Sequence, residues 1–283
     1  MICVHMSGAG NDFMVIDARD HRLDLPRLAK ALCAQTGADG FMAVDRSQKA
    51  DFRLHFYNSD GSRGEMCGNG SRCVSRFAYE AGIAGAEMTI ETDAGLLHSH
   101  RLEERRYQVG LNLPSVLDLH RLEETAYVEL GSPGVPHGVR RHPGLNWAER
   151  DALRAEMQAL RRHRAFPKGA NINYYDWIDP KTIRILTFER GVEDFTLACG
   201  TGSGAAAAVL WQQGLLPDGC LAVENPGGRL EFQLSGQDGR LCQISMAGST
   251  DILTKYELVG NKLIPLSQCS IPQQPSPRFS TNV

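Results

Sequence analysis

Two short blocks in this chain could do chemistry: CGNGS at Cys67–Ser71 and CGTGS at Cys199–Ser203. They lie 132 positions apart. Sliding the sequence over itself by that offset, without a gap, also brings Leu54 onto Leu186, Phe56 onto Phe188 and Gly82 onto Gly214. One residue out of phase, Glu91, Gly95 and Leu97 meet Glu224, Gly228 and Leu230. Each block precedes a helical pattern, Arg72–Ala81 and Gly204–Gln213, closed by a glycine suited to a left-handed stop. The glycines inside the blocks are expected to turn the backbone tightly and expose its N–H groups. The first turn of a helix leaves such donors unpaired, and its dipole makes that end positive, so a carboxylate fits there. A cysteine at the same place should have its thiolate favoured and its pKa below about 8.5. Two such ends in an internal repeat can face one ligand with a thiol on each side. That arrangement suits taking a proton from one face of a carbon and returning one to the opposite face. The helix ends would hold the α-carboxylate and the negative charge that develops on it.

Duplication separates these two cysteines from the others. A lone cysteine is usually a small buried hydrophobe. Cys73 falls on Ala205 in the repeat, and it reads as structural, as do Cys3, Cys33, Cys220, Cys242 and Cys269. No CxxC pair and no Cys/His cluster with zinc spacing occurs, and no lysine sits in a pattern suited to a pyridoxal Schiff base, so neither metal nor cofactor is expected.

The elements that must position the blocks are largely strands. Phe52–Tyr57 and Arg184–Phe188 alternate apolar and polar residues, each followed by a turn-rich stretch and then its block. Strands are also predicted at Met14–Asp17, Glu87–Thr92, Gln108–Leu113, Ala126–Leu130, Cys220–Val223, Leu230–Leu234 and Cys242–Met246, and helices at Leu25–Thr36 and Trp147–Arg161. Few of the strands are wholly apolar, which predicts antiparallel or mixed sheets rather than a doubly wound parallel one. The expected organisation is an α/β chain of two pseudo-symmetric halves, 1–115 with Cys67 and 116–263 with Cys199. A Ser-, Pro- and Gln-rich tail, 264–283, is expected to be disordered. The net charge of −3 over 283 residues excludes the strongly basic surface of a nucleic-acid binder. No apolar run approaches the roughly 20 residues of a membrane span. The start lacks a signal-peptide pattern, which points to the cytoplasm. The expected partner is a small amino-acid substrate; nucleic acid and membrane are not expected, and a homodimer is allowed.

The chain resembles the diaminopimelate epimerase family. The resemblance is carried by SGAGNDF at Ser7–Phe13, GADGFM at Gly37–Met42, NSDGS at Asn58–Ser62, MCGNGSRC at Met66–Cys73 and ETDAG at Glu91–Gly95. It continues through PHGV at Pro136–Val139, NIN at Asn171–Asn173, ERG at Glu189–Gly191 and LACGTGSG at Leu197–Gly204. It implies two pseudo-symmetric domains, each a curled sheet around a central helix, with the site in the cleft. It implies Cys67 and Cys199 as the acid/base pair, with Gly68, Asn69, Gly200 and Thr201 cradling the reacting carboxylate and Asn11 beside it. Asn58, Asn171, Glu189 and Arg190 would hold the distal amino-acid group, Arg190 by pairing with a carboxylate and Glu189 by taking an ammonium. The implied reaction interconverts LL- and meso-diaminopimelate, a precursor of lysine and of cross-linked peptidoglycan. Without the resemblance, Glu189-Arg190 would read as a solvated pair, Asn58 and Asn171 as turn residues, and His137 as a loop histidine. Two departures touch the distal end: Val135 stands where the family usually has Asn, and the Arg190–Cys199 stretch is one residue longer. Alternatives are a two-cysteine racemase of another amino acid such as histidine, a non-enzymatic amino-acid-binding domain, and a thiol-disulfide protein.

Overall fold

A computed structural model describes residues 1–64 and 67–266. In chain order the first half contains β1 (Ile2–Gly8), β2 (Asn11–Asp17), α1 (Leu25–Thr36), β3 (Gly40–Asp45), β4 (Phe52–Asn58), α2 (Gly68–Glu80), β5 (Glu87–Thr92), β6 (Gly95–Arg101) and β7 (Arg106–Leu111). The second contains β8 (Pro114–Leu122), β9 (Thr125–Gly131), β10 (Gly134–Arg141), α3 (Arg150–Arg161), β11 (Asn171–Asp179), β12 (Thr182–Glu189), β13 (Asp194–Thr196), α4 (Gly200–Gln212), β14 (Cys220–Asn225), β15 (Gly228–Gln237) and β16 (Arg240–Ser249). Two further strands, β17 (Asp251–Val259) and β18 (Lys262–Pro265), close the described chain.

The repeat read in the sequence is structural. α4 begins and ends 132 positions after α2, and β14 begins and ends 133 after β5. In each half the parallel pairs are those joined through a helix, because a parallel crossover needs intervening chain. They are β2 with β3, β4 with β5, β10 with β11 and β12 with β14. The other pairings are antiparallel. The halves meet where β7 pairs with β16, and they exchange strands. After β7 the chain crosses to β8, which pairs with β9; after β16 it crosses back to β17, which pairs with β1. Strand pairing therefore returns residues 251–265 to the first half, where Leu258 packs with Cys3, Met14, Leu32 and Phe41.

Each sheet curls around one helix. α4 carries GAAAAVLW, and its residues from Gly202 to Leu210 are buried. A helix apolar on all sides belongs at the centre of a core, and small side chains let the sheet approach. α2 is as deeply buried from Gly68 to Ala78, although it includes Ser71, Arg72, Ser75 and Arg76. α1 packs on the outside of β2–β4, and α3 on β11 and β12.

α1 has the predicted limits, and β5 does too. The predicted Trp147–Arg161 helix opens with a short 3₁₀ turn at Trp147–Glu149 before α3. α2 and α4 start four residues earlier than the patterns at Arg72 and Gly204, so the glycine blocks are themselves helical. β18 takes up the first two residues assigned to the tail; 267–283, with Cys269, lie outside the described residues, as do Glu65 and Met66.

Candidate active site

Cys67 and Cys199 occupy equivalent places, the N-cap of α2 and the N-cap of α4, both with extended backbone. The following glycines do not turn the chain as expected: Gly68, Gly70, Gly200 and Gly202 are absent from the positive-φ positions. They are needed for close approach. A Cβ on Gly70 would lie 1.8 Å from Met42 Cε, one on Gly202 2.2 Å from Asn173 Oδ1, and one on Gly68 2.6 Å from Met246 Cε. Met246 of β16 also lies 3.2 Å, through Sδ, from where a Gly200 Cβ would be. Both helix starts thus rest on one methionine, at the seam between the halves. Asn69 closes the gap, its Oδ1 3.5 Å from that same Gly200 position.

The thiols differ in their surroundings. Cys199 Sγ accepts the Gly202 N–H at 3.3 Å and lies 3.5 Å from Thr201 Oγ1. Cys67 closes no capping hydrogen bond. Against the expectation of a lowered pKa, burial raises both thiols. Cys199 is pushed up to about 12 by burial and then by Glu189, with Thr201 and the Gly202 N–H pulling the other way. Cys67 keeps some solvent contact, yet burial raises it too; the N–H groups of Gly70 and Asn69 and the Arg72 guanidinium oppose that shift, and Glu189 adds to it. The helix end favours a thiolate, but loss of water around the sulfur costs more. Cys73, read as structural, is fully buried, and burial pushes it up to about 12.

A polar chain runs from α2 to the rim. Arg72 Nη2 donates to Asn69 Oδ1 at 3.0 Å, Asn69 Nδ2 to Asn11 Oδ1 at 2.8 Å, and Asn11 Nδ2 to Asp39 Oδ2 at 3.1 Å. Asp39 also takes the Asp12 N–H at 3.1 Å. In the second half, Asn171 Oδ1 accepts the Arg190 N–H at 2.8 Å, and Arg190 Nη1 donates to the Lys168 carbonyl at 2.9 Å, leaving the guanidinium exposed. Burial raises Glu189, and the Asp39 charge adds to that shift; partial loss of water raises Asp39 in turn, although its residue keeps an exposed edge. Two carboxyls held above their usual range in one cleft suit an ammonium guest. Asn58 is exposed and donates to Ser62 Oγ at 2.9 Å; its link to the others is its pairing with Gly40, next to Asp39.

His137 is not in a loop. It lies in β10 opposite Asn171, fully buried, and burial reinforced by Arg190 pushes its pKa down to about 3. The imidazole is therefore neutral. Its Nδ1 faces Asn173 Nδ2 at 3.3 Å, which makes Nδ1 the acceptor; Nε2 has no hydrogen-bond partner among the described residues. Asn173 also donates to the Gly138 carbonyl and accepts from Thr187 Oγ1. Sequence reasoning gave no role to Asp39, Arg72, Asn173 or Glu129. The first three lie inside quoted motifs, but only folding shows what they touch. Glu129 is buried and accepts from Tyr127 Oη at 2.6 Å and Lys168 Nζ at 2.8 Å, one residue along β9 from the partner of Val135. The Arg190–Cys199 stretch folds as a tight β12–β13 hairpin whose Glu193 is bound by Arg161 and Arg162 of the α3 region. A separate groove, lined by Val4, Phe77, Glu80, Ile252 and Lys255, opens at the far end of α2, away from both cysteines.

This double α/β fold is shared with proteins of known structure. The chain superposes on a phenazine biosynthesis protein of the PhzF family from Bacillus anthracis with a TM-score of 0.69 at 18% identity, covering 92% of this chain and 99% of that one. It superposes on a probable proline racemase from Agrobacterium radiobacter K84 with a TM-score of 0.65 at 16% identity, covering 92% and 93%. The chain belongs to the diaminopimelate epimerase family: the family model matches residues 3–112 and 133–253. The diaminopimelate epimerase of Aquifex aeolicus is 39% identical over 75% of this chain and 81% of that protein. The protein is accordingly an isomerase of the racemase and epimerase class.

Proposed function

We propose that this protein interconverts LL- and meso-diaminopimelate with Cys67 and Cys199 as a two-sided acid/base pair. One cysteine, as thiolate, takes the α-proton; the Cα–H bond breaks and its electron pair remains on Cα and the carboxylate. The other, as thiol, gives its proton to the opposite face. Each turnover moves the thiolate from one sulfur to the other. The N–H groups of the two helix starts, at Gly68, Asn69, Gly200 and Thr201, meet the carboxylate where negative charge grows. The single observation that carries this reading is the pair of cysteine N-caps over Met246, one from each repeat. Glu189 and Asp39 supply an acidic wall for ammonium, and Arg190 with Asn171 and Asn58 supply partners for a distal carboxylate. A zwitterion entering a closed cleft needs such partners because it leaves its water behind.

The name of the Aquifex relative supports diaminopimelate as the substrate. Val135 favours a second reading, inversion of a shorter amino acid such as histidine, because an aliphatic side chain offers a distal polar group no hydrogen bond. Exchange of the α-proton in heavy water, run over diaminopimelate, histidine and a panel of other amino acids, separates the two. Inversion of another amino acid with inert diaminopimelate would remove the substrate assignment and leave the two-cysteine chemistry. No exchange with any of them would remove both.

A further inference from the structure

An amide side chain can face a guest with its oxygen or with its N–H groups. Asn69 follows Cys67 by two residues, and its Nδ2 donates to Asn11 Oδ1 at 2.8 Å. The ends of the chain that contains this bond fix its direction. At one end Asp39 Oδ2 takes Asn11 Nδ2 at 3.1 Å, and a carboxylate only accepts. At the other Arg72 Nη2 gives to Asn69 Oδ1 at 3.0 Å, and a guanidinium only donates. Turning either amide over would set oxygen against oxygen at one of its bonds and N–H against N–H at the other. Each NH2 group spends one hydrogen in the chain and keeps a second, for which no acceptor occurs among the described residues.

Asp39 is itself tied in. Its Oδ2 also takes the Asp12 N–H at 3.1 Å, and the Asp12 carbonyl accepts the Asp39 N–H at 3.0 Å. The Asp12 carboxylate turns instead to His5 Nε2 at 2.6 Å. The turn before Asn11, Ala9–Gly10, has positive φ at both residues and rests on the second half. A Cβ on Gly227 would lie 2.5 Å from the Ala9 carbonyl oxygen, and one on Gly10 would lie 3.0 Å from Leu197 Cβ, two residues before Cys199. The backbone of Asn11 is thus held from both halves, and Asp39 holds its amide. The repeat does not copy this arrangement. Ile172 lies 132 positions after Gly40 and opposes Gly138 as Gly40 opposes Phe13, so Pro136 stands where Asn11 does.

Resting on the two-cysteine reading above, we infer that Asp39 is a positioning residue: by holding Asn11 Nδ2 it makes Asn11 and Asn69 offer N–H groups, and not carbonyl oxygens, to the substrate carboxylate at the start of α2. A carbonyl oxygen turned to that carboxylate would repel it and the negative charge that grows on it, whereas an N–H stabilises both. Both bonds of Asp39 go to Oδ2, so Oδ1 keeps the place in the acidic wall given to it above. The two jobs separate under substitution. In Asp39→Asn a carbonyl oxygen can take the Oδ2 place and keep both bonds while the charge is lost; in Asp39→Ala both are lost.

Two measurements test this. The first needs neither substrate nor variant: water exchange of the Asn11 side-chain NH2, read by nitrogen-15 NMR on the full chain and assigned through the Asn11 backbone. It should be slower than in a free carboxamide by about tenfold or more, as one hydrogen bond to a charged group allows. Asp39→Ala should remove that protection and Asp39→Asn restore it. The second is a double-mutant cycle read in kcat and KM. Asp39→Ala and Asn11→Ala should each lower kcat by about tenfold or more. The double variant should be no slower than Asn11→Ala alone, because Asp39 acts through Asn11. Asp39→Asn should recover most of the kcat lost in Asp39→Ala, with its missing charge appearing as a raised KM. An Asn11 amide that exchanges as fast as a free one in the unaltered protein overturns the inference. So do losses that multiply in the double variant, or an Asp39→Asn protein as slow as Asp39→Ala. Failure here is distinct from failure of the function: inactive Cys67→Ser and Cys199→Ser variants beside an unprotected Asn11 amide would sink only the role of Asp39.

Discussion

At the start of α2, Cys67 is followed by Asn69 and backed by Arg72; at the start of α4, Cys199 is followed by Thr201 and backed by Gly204. The backbone of the two regions is the same, glycine for glycine, because both helices must press their first turns against a neighbour that leaves no room for a Cβ. The side chains beneath differ. α2 stands on a buried cation and a chain of amides reaching Asp39, whereas α4 stands on Asn173 and Thr187, neutral groups that satisfy each other. Pseudo-symmetry thus fixes where the two thiols sit, and the departures from it set what surrounds each.

The largest effect expected from breaking the comparison is on inversion itself. Cys67→Ser and Cys199→Ser should each lower kcat by about 10²–10⁴-fold, the usual worth of one general acid or base. Cys73→Ser should stay within about tenfold, since that thiol lies behind the helix start. Measuring both directions of inversion by chiral chromatography decides this; normal turnover by either site mutant would dismantle the paired mechanism.

Next come the two glycines. Gly202→Ala would press a methyl on Asn173, which is held by bonds to Gly138, Asn171 and Thr187. Gly70→Ala would press one on the free end of Met42, which can swing aside. Both should lose stability by about 1–3 kcal/mol, with the α4 variant the worse. Urea midpoints would show it, and the reverse order would mean that the α4 floor is the softer one.

Two groups of the second half predict opposite pH edges. His137, lowered from 6.5 to about 3, takes up a proton less readily folded than unfolded. Its contribution is present above about pH 6.5 and lost as pH falls toward 3, by up to about 1.4 kcal/mol per pH unit. Cys199, raised from 9.0 to about 12, contributes fully below pH 9 and loses that contribution as pH climbs toward 12. His137→Asn should flatten the acid edge and Cys199→Ser the alkaline one. Unchanged edges in denaturation curves against pH would show that these groups are solvated. The smallest effect concerns Val135→Asn, which should raise kcat/KM for diaminopimelate by about tenfold, the worth of one hydrogen bond to a charged group. A fall instead would show that the Glu129–Lys168 pair nearby already fills that role.

Much of this was legible in order along the chain. The duplicated cysteines, the helices after them and their glycine stops at Gly82 and Gly214, both with positive φ, depend on spacing and local backbone preference, which sequence displays directly. Half of the strands, β1, β3, β6, β8, β10, β11, β13, β17 and β18, are missing from the sequence reading; β1 and β17 are missing because each is fixed by a partner far away in sequence, as Ile2 is by Glu257. His137 read as a loop residue because nothing local announces a parallel ladder with Asn171.

By itself the sequence determined that two thiols would sit at two matching helix starts, because a repeat and its periodicity are properties of the chain alone. Only the tertiary structure decided that burial raises those thiols rather than lowering them, that β8 and β17 are exchanged between the halves, and that Arg72 meets no carboxylate among the described residues. Desolvation and unpaired charge depend on what surrounds a group in space, and the residues that surround these come from both ends of the chain.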